Sequence, residues 1–418
     1  MNEEQNIKQL PKDWKWVKLG EACEIVSGNT PKGLELISNK GQHQFYKVSD
    51  MNLVGNEIRM SVSNLKLTLE EIKKLKVKVY PKGTVIFPKR GGAILTNKKR
   101  VLSEDASFDL NLMGILPNDS LSSNYLFYWI QKLDLSKIYD GSNVPQINNK
   151  NVAPLDFPLP PKPTQQAIVS KIEELFSELD KGIENLRLAQ QQLKTYRQAV
   201  LKWAFEGKLT NENMKDGELP EGWKQVKLNE MTESIQYGFT ESSSKELIGP
   251  KFLRITDIQE NKVKWDEVPY CKIDKKIKAK YLLKEGDLVF ARTGATVGKS
   301  FLIKGEIPEA VFASYLIRVR VNKEIDEKYL SYFFHSPNYW SQITEGQVGI
   351  GQPNVNGTKL GQLDLILAPI KEQAKIVQEI ESRLSVADKM EESITQSLQQ
   401  SEALRQSILK KAFEGRLL

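Results

Sequence analysis

The sequence predicts a mixed α/β protein in which two globular domains, each followed by a long α-helix, are joined in tandem. Three observations predict it: an internal repeat across the 418 residues, two apolar heptad patterns, and short strand-like segments separated by turn residues. A chain of this length can bury more than one hydrophobic core. We expect the two helices to pack as an antiparallel coiled coil, which gives the molecule pseudo-two-fold symmetry.

The internal repeat is the strongest signal in the chain. Residues 161–209 align without gaps with residues 369–417, and 21 of the 49 pairs are identical. Shorter segments that precede them match in the same order, such as KGTVIFPKRGG (82–92) and EGDLVFARTGA (285–295). Self-similarity of this kind indicates a tandem duplication. The predicted parts are a first domain at 1–158, its helix at 159–209, a second domain at 210–367 and its helix at 368–418.

The helices are predicted from periodicity. In both copies, apolar residues recur at alternating spacings of four and three, with mostly Gln, Glu, Lys and Arg between them. Prolines precede each helix, and Gly207 and Gly415 are natural stops at the carboxyl ends. Each helix should run for about 40 residues, or roughly 60 Å at 1.5 Å per residue. A single apolar seam needs a partner in water, which favours pairing of the two helices. The alternative is that each helix covers a separate sheet.

The globular halves contain strands and short helices. KGTVIF (82–87) and GDLVFAR (286–292) have buried-strand character, and YLFYWIQKL (125–133) and YLSYFFHSP (329–337) are typical of short amphipathic helices. The matching carboxylates in VSD and ITD are best interpreted as caps that order a turn after a strand: Asp50 and Asp257.

Net charge, cysteine and histidine counts and hydropathy limit the classes of protein to which the chain can belong. The formal net charge of +7 permits a polyanionic partner, provided that basic side chains gather on one face. Two cysteines and two histidines argue against a disulfide framework, a metal site or a Cys–His catalytic pair. No apolar stretch approaches the roughly 18 residues of a membrane span, and the polar start carries no signal-peptide pattern. We therefore expect a cytoplasmic protein with no membrane partner.

Catalytic motifs are missing from the sequence. GATVGKS (294–300) resembles a phosphate loop, but Gly294 and Gly298 enclose three residues where a Walker A loop has four. The sequence contains no nucleophile elbow, zinc-protease motif or dinucleotide fingerprint. We predict no catalytic residues, no metal ligands and no cofactor bound by this chain.

Basic and amide side chains around two turns are the candidate binding residues. A glycine turn after a strand presents backbone amides and basic tips that suit a nucleic-acid phosphate or a guanine edge, and Asn or Gln can read adenine. The alternatives are an ordinary hairpin turn with solvated charges and a plain connection into each helix. The candidate DNA-binding residues are Lys89, Arg90, Lys98, Lys99, Arg100, Asn143, Gln146, Arg254, Arg292, Thr293, Thr296, Lys299, Gln347, Gln352 and Asn354.

The ordered motifs resemble the specificity subunit of type I restriction–modification systems. The resemblance covers nearly all of 10–418 and rests on the LPxxWxxVKL openings, on the lead-ins PLPPKPTQQAIVSKI and LAPIKEQAKIVQEI, and on the endings AFEGKL and AFEGRL. RTGATVGK (292–299) is similar to the recurrent glycine turn of these domains, whereas KRGGAI (89–94) departs from it.

This resemblance implies a non-catalytic reader of double-stranded DNA. Each target-recognition domain would read one half of an asymmetric bipartite site, and the paired helices would set the spacing. The chain would dock two methyltransferase (modification) subunits and, in the restricting complex, translocase–nuclease subunits; those partners would hold S-adenosylmethionine, ATP and Mg. Candidate partner contacts on the helices are Gln165, Ile168, Ile172, Arg197, Phe205, Gln373, Ile376, Ile380, Arg405 and Phe413.

Two other classes of function are compatible with parts of the pattern. One is a scaffold whose duplicated domains bind proteins and whose helices dimerise; salt-sensitive binding of duplex DNA separates it from a DNA reader. The other is a self-sufficient methyltransferase or nuclease, which the missing motifs disfavour and which cofactor binding by the isolated chain would support.

Overall fold

The computed structural model describes residues 10–141, 144–211, 214–215, 217–259, 261–345 and 355–418. The chain divides into two compact units, one of Met1–Leu186 with Gln396–Leu418 and the other of Arg187–Thr395. Each unit therefore contains one globular domain and a part of each long helix.

The first domain is built on three sheets of the described residues. A five-stranded sheet has the order β2-β9-β6-β7-β4, and a three-stranded sheet has the order β5-β3-β8. Strand β1 pairs antiparallel with β10, with Lys15 opposite Leu159, so the chain enters and leaves the domain at one place. The strands are β1 (Lys15–Lys18), β2 (Cys23–Ser27), β3 (His43–Tyr46), β4 (Arg59–Met60), β5 (Leu65–Leu67), β6 (Val85–Pro88), β7 (Arg100–Leu102), β8 (Ser107–Phe108), β9 (Leu112–Pro117) and β10 (Asp156–Leu159), and the helices are α1 (Leu19–Ala22), α2 (Leu69–Leu75), α3 (Ser123–Lys132), α4 (Asn149–Val152) and the long α5 (Lys162–Phe205).

The second domain repeats this plan with changes. Its main sheet has the order β12-β21-β18-β19, a second sheet has the order β13-β17-β14-β20, and β15 pairs with β16. Strand β11 pairs antiparallel with β22, with Lys224 opposite Leu367. The strands are β11 (Lys224–Lys227), β12 (Thr232–Tyr237), β13 (Ser243–Ser244), β14 (Lys251–Leu253), β15 (Ile258–Gln259), β16 (Lys262–Val263), β17 (Tyr270–Cys271), β18 (Leu288–Ala291), β19 (Ser300–Leu302), β20 (Ala310–Phe312), β21 (Leu316–Val321) and β22 (Asp364–Leu367), and the helices are α6 (Lys275–Tyr281), α7 (Glu327–Phe333), α8 (Pro337–Glu345), α9 (Gly357–Gly361) and the long α10 (Ile370–Phe413).

The two long helices confirm the predicted repeat. Each has 44 residues, close to the length that periodicity predicts. Within the first unit, Arg405 of α10 pairs with Asp180 of α5. Within the second unit, Arg197 of α5 pairs with Asp388 of α10 at 2.8 Å. The two ion pairs are the same pair moved by the repeat offset of 208, which confirms antiparallel pairing of the two helices.

The helix ends lie inside the cores of the domains. Phe413 packs edge-on against Tyr125 with ring centroids 5.1 Å apart, and Phe205 packs against Tyr329 in the same way at 5.0 Å. Both phenylalanines are buried. Pairing of the helices and covering of the domains were alternatives in the sequence, and the structure combines them because one apolar face serves both at different points along the helix.

Candidate nucleic-acid interface

Two segments that are distant in the sequence meet at one edge of the first domain. Strand β6 ends at Pro88, and the carbonyl of Lys89 accepts a hydrogen bond from the Ile147 amide at 2.9 Å. The Gly91 amide donates to the Pro145 carbonyl at 2.8 Å. The strand-end turn and the polar loop before α4, which the sequence singled out separately, therefore form one surface.

Arg90 is the exposed cation of this surface. With the Gln146 amide turned so that its oxygen faces the guanidinium, that oxygen accepts from Nε and Nη2 of Arg90 at 3.2 Å each. Two hydrogen bonds to one oxygen restrict the orientation of a long side chain. The structure thus brings together two of the predicted DNA-binding residues.

The second domain builds the corresponding surface around Arg292. This residue follows β18, and its carbonyl accepts from the Val355 amide at 3.0 Å, which joins the strand end to the segment before α9. The Arg292 guanidinium lies over the ring of Tyr237, 4.9 Å from its centroid. The hydroxyl of Tyr237 accepts from the Gly357 amide at 2.8 Å, so one tyrosine contacts both segments.

The turn after Arg292 is shaped by two glycines. Thr293 precedes a short 3-10 turn at Gly294–Thr296, and Gly294 and Gly298 have φ angles of +81° and +83°. These left-handed conformations are costly for residues with a Cβ atom. Thr293 and Thr296 are half-buried beside the turn and Lys299 is exposed at its end.

The arginines of the two domains follow their strands at different positions. The backbone bonds at Lys89 and at Arg292 correspond, since each carbonyl receives an amide from the segment before the next short helix. Arg90 therefore corresponds to Thr293, one residue further along.

Two predicted DNA-binding lysines lie inside the first domain. Lys89 is buried and its ammonium donates to Ser27 Oγ at 2.8 Å. Lys99 is 1% exposed, and its ammonium donates to Asn97 Oδ1 at 2.7 Å and also to the Leu133 carbonyl. Burial lowers the pKa of Lys99 to about 8 and also lowers that of Lys89. Both ammonium groups are therefore engaged within the protein, and a contact of either lysine with DNA stays a prediction.

The other predicted cations of this region are partly engaged. Lys98 contacts Asn52 Oδ1. Arg100 donates to the Lys99 carbonyl at 2.9 Å, and burial lowers its guanidinium pKa. In the second domain, Arg254 makes a forked bond to Asp257, through Nε at 3.1 Å and Nη2 at 2.7 Å, and this carboxylate raises the pKa of the guanidinium.

The matched carboxylates cap turns as predicted. Asp257 also accepts a hydrogen bond from the backbone amide of Arg254 at 2.8 Å, and Asp50 accepts one from that of Lys47 at 2.7 Å.

Four further predicted DNA-binding residues lie outside the described residues: Asn143, Gln347, Gln352 and Asn354.

Eight of the ten predicted partner contacts on the long helices are buried within their own unit: Gln165, Ile168, Ile172, Phe205, Gln373, Ile376, Ile380 and Phe413. The glutamines form equivalent junctions. Gln165 accepts from the Ser122 amide at 2.8 Å, and Gln373 accepts from the Asp326 amide at 2.7 Å; both side chains also donate to backbone carbonyls. These residues fasten each helix to its domain, and their contact with a partner stays a prediction.

Arg197 and Arg405 keep part of their side chains exposed. Arg197 bonds Asp388 and Glu391, and Arg405 lies 4.4 Å from the centroid of the Phe176 ring in addition to its bond to Asp180. These arginines are the predicted partner contacts that a second protein could still reach.

Tyr237, whose ring lies under the Arg292 guanidinium, is not among the binding residues predicted from the sequence. A signal was present, because the residue lies directly before Gly238, and the first domain has Ser27 directly before Gly28. A Cβ on either glycine would lie about 2 Å from a backbone carbonyl oxygen of the same domain. Residues at such a close approach are fixed in position, and Ser27 and Tyr237 each contact the cation that follows the strand two places away in the same sheet.

Two kinds of site, a membrane-spanning helix and a cluster of metal ligands, are absent from the described residues. None of the helices in that part of the chain is long and apolar enough to cross a membrane. No group of three or more His, Cys, Asp or Glu side chains there is arranged to hold a metal ion.

Comparison with known proteins identifies the class of protein. The family model for the type I restriction modification DNA specificity domain matches twice, at residues 11–187 and 220–400. The chain belongs to this family of type I restriction–modification specificity subunits, whose role is DNA sequence recognition without catalysis.

Individual relatives match nearly the whole chain. The specificity subunit of the type I restriction enzyme EcoKI from Escherichia coli K12 is 24% identical, over 98% of this chain and 90% of the relative. The specificity subunit of StySPI from Salmonella potsdam is also 24% identical, over 99% of this chain and 91% of the relative.

Solved structures show the same fold. The HsdS subunit from Thermoanaerobacter tengcongensis superposes with a TM-score of 0.63 at 19% identity, covering 98% of this chain and 99% of that one. A chain from a structural study of the assembly and conformational transition of the type I system superposes with a TM-score of 0.72 at 20% identity, with the same coverage.

Proposed function

We propose that each domain reads one half of a bipartite duplex site through its strand-end surface: Arg90 with Gln146 in the first domain, and Arg292 with Tyr237 in the second. The observation that carries this proposal is the repetition of one construction. In both domains, a strand-end turn is hydrogen-bonded to the segment before the next short helix, and an arginine is oriented there by a neighbouring side chain.

The chemistry suits the major groove. A guanidinium pairs with O6 and N7 of guanine, and an oriented guanidinium loses less freedom when it does so. We assign Lys98 and Lys299, which lie close in sequence to the two arginines, to phosphates, which position the protein without reading sequence. Because the arginine is held by an amide in one domain and by an aromatic ring in the other, the two half-sites should differ.

The partners follow from the family. We propose that two methyltransferase subunits dock on this chain, together with translocase–nuclease subunits in the restricting complex, and that those subunits hold S-adenosylmethionine, ATP and Mg. The equivalent Arg197 and Arg405 positions support two similar docking sites, since the repeat places the same ion pair in each unit. We expect this complex of specificity, methyltransferase and nuclease subunits to lie in the cytoplasm.

Methylome sequencing tests the proposal. A host that carries this chain and its methyltransferase subunit should acquire methylation at one asymmetric motif with two specified blocks and an unspecified spacer. Duplex binding by the complex should also weaken steeply as salt increases. Methylation at a single continuous block would contradict the half-site assignment. Salt-independent binding of proteins in place of DNA would favour the scaffold.

A further inference from the structure

A pocket lies beside the glycine turn of the second domain. It encloses about 290 Å³, near the lower end of the roughly 300–1,000 Å³ range of small-molecule sites. Thr296 and Lys299 of the turn line it together with the end of β18, the start of β19, the connection between α7 and α8, and α8 itself. The remaining lining residues are Ile255, Ile258 and Asn261. The proposed reading of DNA by Arg292 makes no use of this space.

The lining of the pocket combines aromatic, aliphatic and polar side chains. Phe301, Phe334 and Trp340 line it, and aromatic faces of this kind stack with planar heterocycles. Its shape is fixed on one side, because the hydroxyl of Tyr339 donates to the Gly298 carbonyl at 2.6 Å. A Cβ on Gly298 would lie 3.2 Å from the Trp340 ring, and the φ angle of +83° also favours glycine at this position.

Two of the polar side chains in the lining, Ser300 and His335, are assigned to the edge of a ligand. Ser300 Oγ is buried and has no hydrogen-bond partner among the described residues, although buried hydroxyls are nearly always paired. His335 Nδ1 lies 2.7 Å from the Ser331 carbonyl. A carbonyl only accepts, so Nδ1 carries the proton and Nε2 of the neutral ring is an acceptor. One hydroxyl and one ring nitrogen match the donor and acceptor edge of a heterocycle.

The first domain fills the corresponding place. The strand pairing puts Lys99 and Arg100 where the second domain has Ser300 and Phe301. The buried Lys99 ammonium bonds Asn97 and the Leu133 carbonyl there. The duplicated domains therefore differ at this point: one carries an inward lysine, and the other carries a small residue with an unpaired hydroxyl and an aromatic pocket.

We infer that this pocket binds a single nucleobase, with its ring among Phe301, Phe334 and Trp340 and its edge on Ser300 and His335. The inference rests on the proposed function, since Arg292 and Lys299 bring DNA to the mouth of the pocket. Lys299 supplies a cation for the attached phosphate. The base comes either from the DNA, unstacked at the second half-site, or from a free nucleotide, and the chemistry of the pocket is the same for both.

Photocrosslinking tests the inference in the full-length chain within its methyltransferase complex. Duplexes that contain the methylated motif are prepared with 5-iodouracil at successive positions of the second half-site and irradiated. A base in the pocket should crosslink to the tryptic peptide 300–304, which carries Phe301, or to the peptide with Trp340. Saturation-transfer NMR with AMP, GMP, CMP and UMP tests the free nucleotides in parallel.

Three variants control the experiment. Ser300→Leu fills the pocket and should abolish the crosslink and weaken site-specific binding about tenfold. Ser300→Ala keeps the space and should retain the crosslink with weaker binding. Ser242→Leu makes the same change at an exposed serine of the same domain and should alter neither.

The outcomes distinguish base binding in the pocket from the proposed reading of DNA by Arg292. A crosslink from DNA assigns the pocket to an unstacked base, and nucleotide saturation without a crosslink assigns it to a free nucleotide. If neither signal appears and Ser300→Leu binds DNA normally, the pocket holds no base. The proposed reading of DNA survives that result as long as Arg292→Ala loses affinity, and both ideas fail if Arg292→Ala also binds normally.

Discussion

At the scale of single residues, the arrangement of neighbours decides which cation is available to DNA. Lys89 and Arg292 follow equivalent strands, but Lys89 is turned inward to Ser27 whereas Arg292 lies over Tyr237. The small serine leaves room for the ammonium to fold back, and the tyrosine ring supports a guanidinium through its face. A substitution at position 27 or 237 would therefore change which cation is exposed at the turn after Lys89 or Arg292.

Removing the guanidinium of the second domain should weaken recognition. Arg292→Ala should reduce site-specific DNA binding by about 1–3 kcal/mol if the side chain reads a guanine. Lys323→Ala, which removes an exposed charge of the same domain away from the turn, is the matched control and should lose far less. Titration of the complex with specific and mismatched duplexes measures both. Unchanged affinity together with unchanged preference in Arg292→Ala would exclude this role.

The buried lysine of the first domain should make stability depend on alkaline pH. The pKa of Lys99 is lowered to about 8 in the folded chain, whereas an unfolded lysine titrates near 10.4. The unfolded state then binds more protons between these values, so the lysine's contribution to the free energy of unfolding rises with pH across this window. Below about pH 8, the ammonium is charged in both states and the cost of burying it is present in full.

A comparison with Lys99→Met isolates this effect. Relative to that variant, the wild-type free energy of unfolding should increase by on the order of 2–3 kcal/mol from pH 7 to pH 10. Chemical denaturation of both proteins at several pH values measures the difference, and other titrating groups cancel in it. A difference that stays constant, or that falls with pH, would show that Lys99 titrates normally.

At the scale of elements, both long helices are attached to the globular domains by equivalent contacts. Gln165 and Gln373 fasten the starts of α5 and α10 by the same set of bonds, and Phe205 and Phe413 insert the ends into the cores. Each helix therefore starts in one unit and ends in the core of the other, which the sequence periodicity alone does not reveal.

The length of the helices should set the spacer of the recognised site. We consider one heptad inserted after Leu186 and another after Ile394, next to the points where α5 and α10 pass from one unit to the other. Seven residues keep the apolar seam in phase and add about 10.5 Å, or roughly 3 base pairs.

Methylome sequencing of a host with this variant checks the result. The methylated motif should gain about three spacer pairs, or methylation should cease because the added pairs rotate one half-site by about a third of a turn. A four-residue insertion at the same points, which breaks the phase of the seam, is the control for disturbed pairing. Persistence of the original motif with its original spacer would refute the role of the helices in spacing.

At the scale of the whole molecule, the duplication should make specificity modular. Replacing residues 229–365 with the same region of a relative should change one half of the methylated motif and leave the other half intact. The reason is that this segment carries Arg292, Tyr237 and the turn, while both junction glutamines and the helix ends lie outside it. Methylome sequencing detects the exchange, and simultaneous change of both halves would contradict one reader for each half-site.

The sequence by itself determined the architecture and the class of protein. The offset of 208, the heptads of α5 and α10, and the glycine turn at 294–298 are local or periodic signals, so they can be read without a structure. The absence of catalytic motifs is likewise a property of the sequence, and the matched carboxylates Asp50 and Asp257 were correctly assigned as caps.

Only the tertiary structure decided which candidate side chains reach solvent. Lys99 lies in a basic run, yet it is buried because the carbonyl of Leu133, more than thirty residues away, receives its ammonium. Gln146 meets Arg90, and Tyr237 meets Arg292, across more than fifty residues of sequence in each case. Contacts between distant segments leave no periodic trace in a single sequence, and burial, not residue type, separates a structural cation from one that can contact DNA.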